Sequence, residues 1–168
     1  MAGKPRIIKL AAAGLWRRMS ARLRTGPIAR WRFSGLTPDR VLIAPPDLRM
    51  ADAHVAQEFY SGRYALSGKT VDTGGESPFQ VMPPSDAWEA ALHNFRWLRH
   101  MREAGTGLAA AHARTLVSDW IRMHGRTIEG QTWDADTVAK RTIAWLQHSG
   151  TLLRDADLTF YRAFLRSL

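Results

Sequence analysis

The sequence predicts a mainly α protein in which antiparallel helical hairpins follow an extended, loop-rich lead-in. Three observations point there. Helix starts near Ser85, Leu108, Asp134 and Asp157 fall about 23 to 26 residues apart, the cadence of stacked hairpins in arrays or toroids. Apolar residues between those starts step by three and four, as one face of a helix requires. The composition of the 168 residues, 45% hydrophobic and 10% aromatic with a mean hydropathy of −0.27, supplies enough apolar surface to offset chain entropy. That excludes a disordered tail. The absence of Cys excludes disulfides, thiol catalysis and Cys-ligated metal sites. No apolar run is long enough to span a bilayer.

Residues 1–33 read as a basic amphipathic arm. Ile8, Ala12, Leu15, Met19 and Leu23 form its apolar stripe, with Trp16 beside them, while Lys9, Arg17, Arg18, Arg22 and Arg24 cover much of the remaining surface. Residues 1–49 hold 11 of the 24 basic residues against only Asp39 and Asp47, whereas the rest of the chain carries 13 of each sign. The net charge of +9 therefore belongs to the arm, and the body is neutral. Such a helix suits lipid headgroups, or docking of its own stripe on the body; nucleic acid fits less well, because no basic and aromatic stacking platform follows. Lys9 interrupts the apolar stretch and Arg17-Arg18 follow it without a small-residue cleavage site, so no signal peptide is recognisable.

Residues 34–84 form the lead-in. Val41-Leu42-Ile43-Ala44 is a short extended run stopped by Pro45-Pro46, and Asp52 or a neighbour caps a short helix through Tyr60 with Val55, Phe59 and Tyr60 as its contacts. From Ser61 to Pro84 the text is rich in Gly, Ser, Thr and Pro, with one strand around Lys69 to Thr73. Tyr64, Leu66, Val71, Phe79 and Val81 anchor it.

Residues 85–168 are the helical array. Ser85 and Asp86 cap a helix whose face is Trp88, Ala91, Leu92, Phe95 and Leu98, ending at Gly105. A second runs from Leu108 to His124 with Ala109, Ala113, Leu116, Val117 and Trp120, ending at Gly125. Asp134 caps a third, faced by Val138, Thr142, Trp145 and Leu146 and stopped at Gly150. The fourth starts at Asp155 or Asp157 and shows Leu158, Tyr161, Phe164, Leu165 and Leu168. Its stripe is still running at Leu168, which predicts that the array continues past the given residues.

Catalytic signatures are absent: no Gly-rich phosphate loop, no His-Glu-x-x-His and no Gly-x-Ser-x-Gly. His54, His93, His100, His112, His124 and His148 lack metal-ligand spacing and read as surface or boundary residues. Asp155 and Asp157 suit a helix start better than an acid/base pair. Trp88, Trp97, Trp120, Trp133 and Trp145 read first as core, with stacking on sugar rings as the functional alternative. No cofactor, metal or catalytic residue is expected.

Several segments in their order resemble the N-terminal portion of bacterial heparinase II/III family proteins. They are Ala44-Pro45-Pro46-Asp47-Leu48-Arg49, Tyr60-Ser61-Gly62-Arg63-Tyr64-Ala65 with Gly68, and Ser77-Pro78-Phe79. Trp97-Leu98-Arg99-His100, Trp133 with Val138-Ala139-Lys140-Arg141 and Trp145-Leu146, and the end from Phe160 to Leu168 continue the match. The resemblance covers about residues 31–168. It implies the opening part of an incomplete (α/α) toroid, partnered by a C-terminal β-sandwich, in a polysaccharide lyase. Such enzymes work by β-elimination at uronate units of acidic polysaccharide. None of that family's proton-transfer groups maps onto this sequence, so the chain alone is expected to be inactive. The resemblance points to Arg141, Trp145 and Trp133 as inherited substrate contacts, with Arg99 and His100 behind them; helix packing is the competing role for Trp145 and Arg141. It also implies the cell envelope or periplasm, whereas no signal peptide is recognisable, so localisation stays open, with the cytoplasm or the inner-membrane surface as alternatives. The alternative function is a stand-alone basic module that binds an anionic surface through residues 1–33.

Overall fold

A computed structural model describes residues 38–168, and the arm with Lys9, Arg17, Arg18, Arg22 and Arg24 lies outside the described residues. The described part is one compact unit that takes in both the lead-in from Pro38 and the helical array. It is mainly α. Among the described residues are seven helices and one two-stranded antiparallel sheet.

The lead-in runs without regular structure to Asp52, whose carboxylate accepts the His54 N–H at 2.8 Å and starts α1, Ala53–Tyr60. Strands β1 (Arg63–Leu66) and β2 (Lys69–Asp72) then pair, with Tyr64 opposite Val71. The second strand was expected and the first was not. The pair turns through Ser67 and Gly68, both at positive φ, the backbone twist a tight hairpin needs. Buried Tyr64 carries β1 onto the core.

The helix expected from Asp86 to Gly105 is two. α2 (Asp86–His93) is capped by Ser85, and α3 (Leu98–Ala104) ends at Gly105 in the left-handed region. Between them the Asn94 side chain accepts the Arg96 N–H at 2.9 Å, and Phe95 takes φ 57. A phenylalanine rarely adopts that conformation. Here it aims a fully buried ring at Trp97, Trp120 and Trp145, with centroids 5.1, 6.1 and 5.3 Å away. Local competition for the backbone by Asn94 ends the helix, and aromatic packing holds the kink.

The longest helix, α4 (Gly107–His124), packs against α3 and buries Ala109, Ala113, Leu116, Val117 and Trp120 as its pattern requires. Thr106 caps it. It closes at Gly125, where a Cβ would collide with the Ile121 carbonyl oxygen. A single 3₁₀ turn at Gln131–Trp133 leads to α5, Ala135–Gln147. Its buried face is Thr137, Arg141, Ala144 and Trp145, whereas the expected Val138, Thr142 and Leu146 are half-buried. Gly150 does not stop the chain but sits inside a short α6, Ser149–Leu153. Asp157 accepts the Phe160 N–H at 2.8 Å and starts α7, Leu158–Ser167. This helix packs on α4 through Phe160, Phe164 and Leu165; Leu158 and Leu168 point outward instead.

Candidate functional site

Arg99 and His100 stand on α3 beside a surface pocket of about 390 Å³. Arg96, Asn94, Ser67 and Val55 help to line it. The kink at Phe95 puts Arg96 and Arg99 on the same short stretch of chain, three residues apart. Arg99 donates from Nη1 to the Arg96 carbonyl at 2.9 Å, while its enclosed Nε–H has no acceptor among the described residues. Burial, and then the charges of Arg49 and Arg96, pull the Arg99 guanidinium below its ordinary value. His100 Nδ1 accepts the Asp52 N–H at 3.0 Å and lies 3.1 Å from the Asp52 carbonyl oxygen. Burial followed by the neighbouring Arg99 lowers the His100 pKa. A basic pocket of this kind, on a body with no net charge, attracts oxyanions: guanidinium forks match carboxylate and sulfate.

Arg141 and Trp145 lie elsewhere. Arg141 is 3% exposed, and its Cζ sits 4.0 Å from the Trp120 ring centroid and 5.0 Å from that of Trp133. Its Nη1 donates to the Thr132 carbonyl at 2.9 Å and to the His93 carbonyl at 3.4 Å. No carboxylate among the described residues pairs with it. Burial lowers its pKa to about 10, which leaves it charged at neutral pH and held by ring faces and carbonyl dipoles. Trp145 is 1% exposed and packs edge-on to Trp120 at 5.4 Å. Trp133 is half-buried and donates to the His124 carbonyl at 3.1 Å. The fold thus brings Arg141 and Trp133 together as an internal cage, apart from the pocket of Arg99 and His100.

Two histidines expected at the surface or its boundary are interior. His93 accepts the Trp120 Nε1–H at 2.9 Å and meets the His124 ring edge-on at 4.8 Å. Burial, with His124 and Arg141 nearby, pushes its pKa down to about 3. His148, at the junction of α5 and α6, is 1% exposed, and burial pushes it down to about 4 against the opposing pull of Asp47. Both are neutral at pH 7.

Asp47 joins the lead-in to this junction. Its buried carboxylate accepts from Arg49 Nε at 2.8 Å, Arg49 Nη2 at 2.6 Å and the Arg49 N–H at 3.1 Å. That fork holds the carboxyl well below the usual carboxylate range, although burial opposes it. Gln147 donates to the Pro46 carbonyl and accepts from Arg49, both at 3.2 Å. Arg102 reaches the Asp47 carbonyl at 3.3 Å.

Sequence reasoning missed Arg96, Asp47, Arg49 and His148 as members of these clusters. The three-residue step from Arg96 to Arg99 was a legible signal; the meeting of Asp47 with His148, about a hundred residues on, was not. Among the described residues no three His, Asp or Glu converge as a metal site, and no helix is long and apolar enough to cross a membrane. The chain matches no protein-family model, no curated protein and no solved structure.

Proposed function

We propose that this chain is the opening helical portion of a heparinase II/III-like polysaccharide lyase, and that its own part in the reaction is to hold acidic substrate. The whole reaction would be β-elimination: the C5 proton of a charge-neutralised uronate is removed and the 4-linked sugar leaves. No residue of this chain is assigned either proton transfer. The observation that carries the reading is the basic pocket lined by Arg96, Arg99 and His100 on a helical body with no net charge. The helical body and the recurring hairpin spacing support an (α/α) toroid as its architecture. Arg141, Trp133 and Trp145 then serve the helical packing rather than the ligand.

The test is a titration of the full chain with a short oligouronide, followed by NMR. Shifts centred on Arg96, Arg99 and His100, abolished by Arg99→Gln, are expected. Shifts confined to residues 1–33 would overturn the reading in favour of the basic module. In that case deleting the arm would also remove the salt dependence of binding.

A further inference from the structure

We propose that the pocket of Arg96, Arg99 and His100 is a proton-coupled oxyanion site, in which the anion held by the two arginines is bound together with a proton on His100. The inference rests on the pocket being a binding site, as above, and adds how occupancy is controlled.

The geometry around His100 carries it. Nδ1 lies 3.0 Å from the Asp52 nitrogen and 3.1 Å from the Asp52 oxygen. In the neutral ring Nδ1 either accepts the Asp52 N–H, with the ring hydrogen on Nε2, or carries the hydrogen and donates it to the Asp52 carbonyl oxygen. In the imidazolium Nδ1 is a donor, and the Asp52 carbonyl oxygen is already within reach. One residue at the start of α1 therefore satisfies both protonation states through its N–H and its C=O. The backbone there is firmly placed, because the Asp52 side chain caps α1. A histidine bound only to an N–H donor would have to break that contact on charging.

Burial is the largest influence on His100 and opposes its protonation, and the surrounding charges act on top of it. Acting on His100 are Arg99, which opposes its protonation, and the Asp52 carboxylate, which favours it. Arg96 and Arg49 add positive charge around Arg99, and Asp47 opposes them while paired with Arg49. An oxyanion drawn to the Arg96 and Arg99 guanidinium groups that line the pocket would offset the repulsion between Arg99 and an imidazolium. Binding then draws one proton from solvent onto His100, and by linkage a lower pH tightens binding. The shared ligand chemistry is a single carboxylate or sulfate group.

The test follows the His100 ring resonances of the full chain between about pH 5 and 8, with and without inorganic sulfate, which does not itself titrate there; glucuronate is the second probe. The His100 midpoint should rise when either anion is present. Affinity should tighten as pH falls, by up to about tenfold for each unit of that rise. His100→Asn keeps an acceptor for the Asp52 N–H and should bind sulfate with an affinity independent of pH. Arg99→Gln should leave the His100 midpoint insensitive to sulfate, and decides the matter alone if His100→Asn does not fold. An anion that perturbs Arg96 and Arg99 while the His100 midpoint stays put would sink the coupling and leave the binding pocket standing. No perturbation of the pocket by either anion would overturn both. A response to glucuronate alone assigns the site to carboxylates, and to sulfate alone assigns it to sulfate groups; either outcome supports the coupling when the midpoint moves.

Discussion

Asp47 Oδ2 lies 3.2 Å from His148 Nε2, with both side chains buried, off the line of a good hydrogen bond. The lead-in is thereby fastened to the α5–α6 junction by a carboxylate whose principal partner is Arg49. Arg49 is 32% exposed at its side chain, so this is an ion pair with one member inside and one at the rim. Removing Asp47 would leave a guanidinium that can still turn toward water. Asp47→Asn is therefore expected to destabilise the fold by about 2 kcal/mol, less than the ~3–5 kcal/mol of a fully buried pair. Chemical denaturation measures it, and an unchanged midpoint would show that the lead-in is not held there.

Stability should fall as pH drops from about 6.5. His93 and His148 have folded pKa values of about 3 and about 4, below the ordinary 6.5. The unfolded chain then binds more protons than the native one, so the stabilisation is complete above pH 6.5 and is lost on acidification toward those values. Asp47 adds a loss of the same sign at lower pH still. Thermal unfolding across this range should show the decline, and His148→Gln should flatten the part above pH 4.

Arg141 and Arg99 should separate by phenotype. Arg141→Ala leaves the Thr132 and His93 carbonyls without their donor and opens the face of Trp120, at an expected cost of about 3 kcal/mol with a change in Trp fluorescence. Arg99→Ala, at a half-buried site with one carbonyl contact, should cost within about 1 kcal/mol. Equal costs would contradict the division between an internal cage and a surface pocket.

At Phe95 the usual order of Ala and Gly should invert. Loss of the ring costs about 4 kcal/mol in Phe95→Ala, as expected for a buried aromatic. At φ 57, however, Gly avoids the roughly 1 kcal/mol or more that a Cβ pays in the left-handed region. Phe95→Gly should therefore unfold no earlier than Phe95→Ala in denaturant. A clearly less stable glycine variant would argue that the kink is unstrained.

Much of the helical architecture was readable along the chain because its signals are local. Ser85 caps the helix it was expected to cap, Asp52 and Asp157 are each one of the residues expected to cap theirs, Gly105 and Gly125 close theirs, and the apolar stripe of α4 is the buried one. Those features depend on hydrogen bonds and periodicity within a few residues. The break at Phe95 was hidden, since the apolar pattern runs through it unchanged and the rings of Trp120 and Trp145, from distant segments, help to hold the strained conformation. The face of α5 turned on a buried arginine, which hydropathy assigns to the surface and two indole rings bring inside. Arg99 and His100 could be named from the sequence, yet their pocket required α1, β1 and α2 to close around α3. Capping and periodicity are settled by neighbours in sequence; burial of charge and the walls of a pocket are settled by neighbours in space.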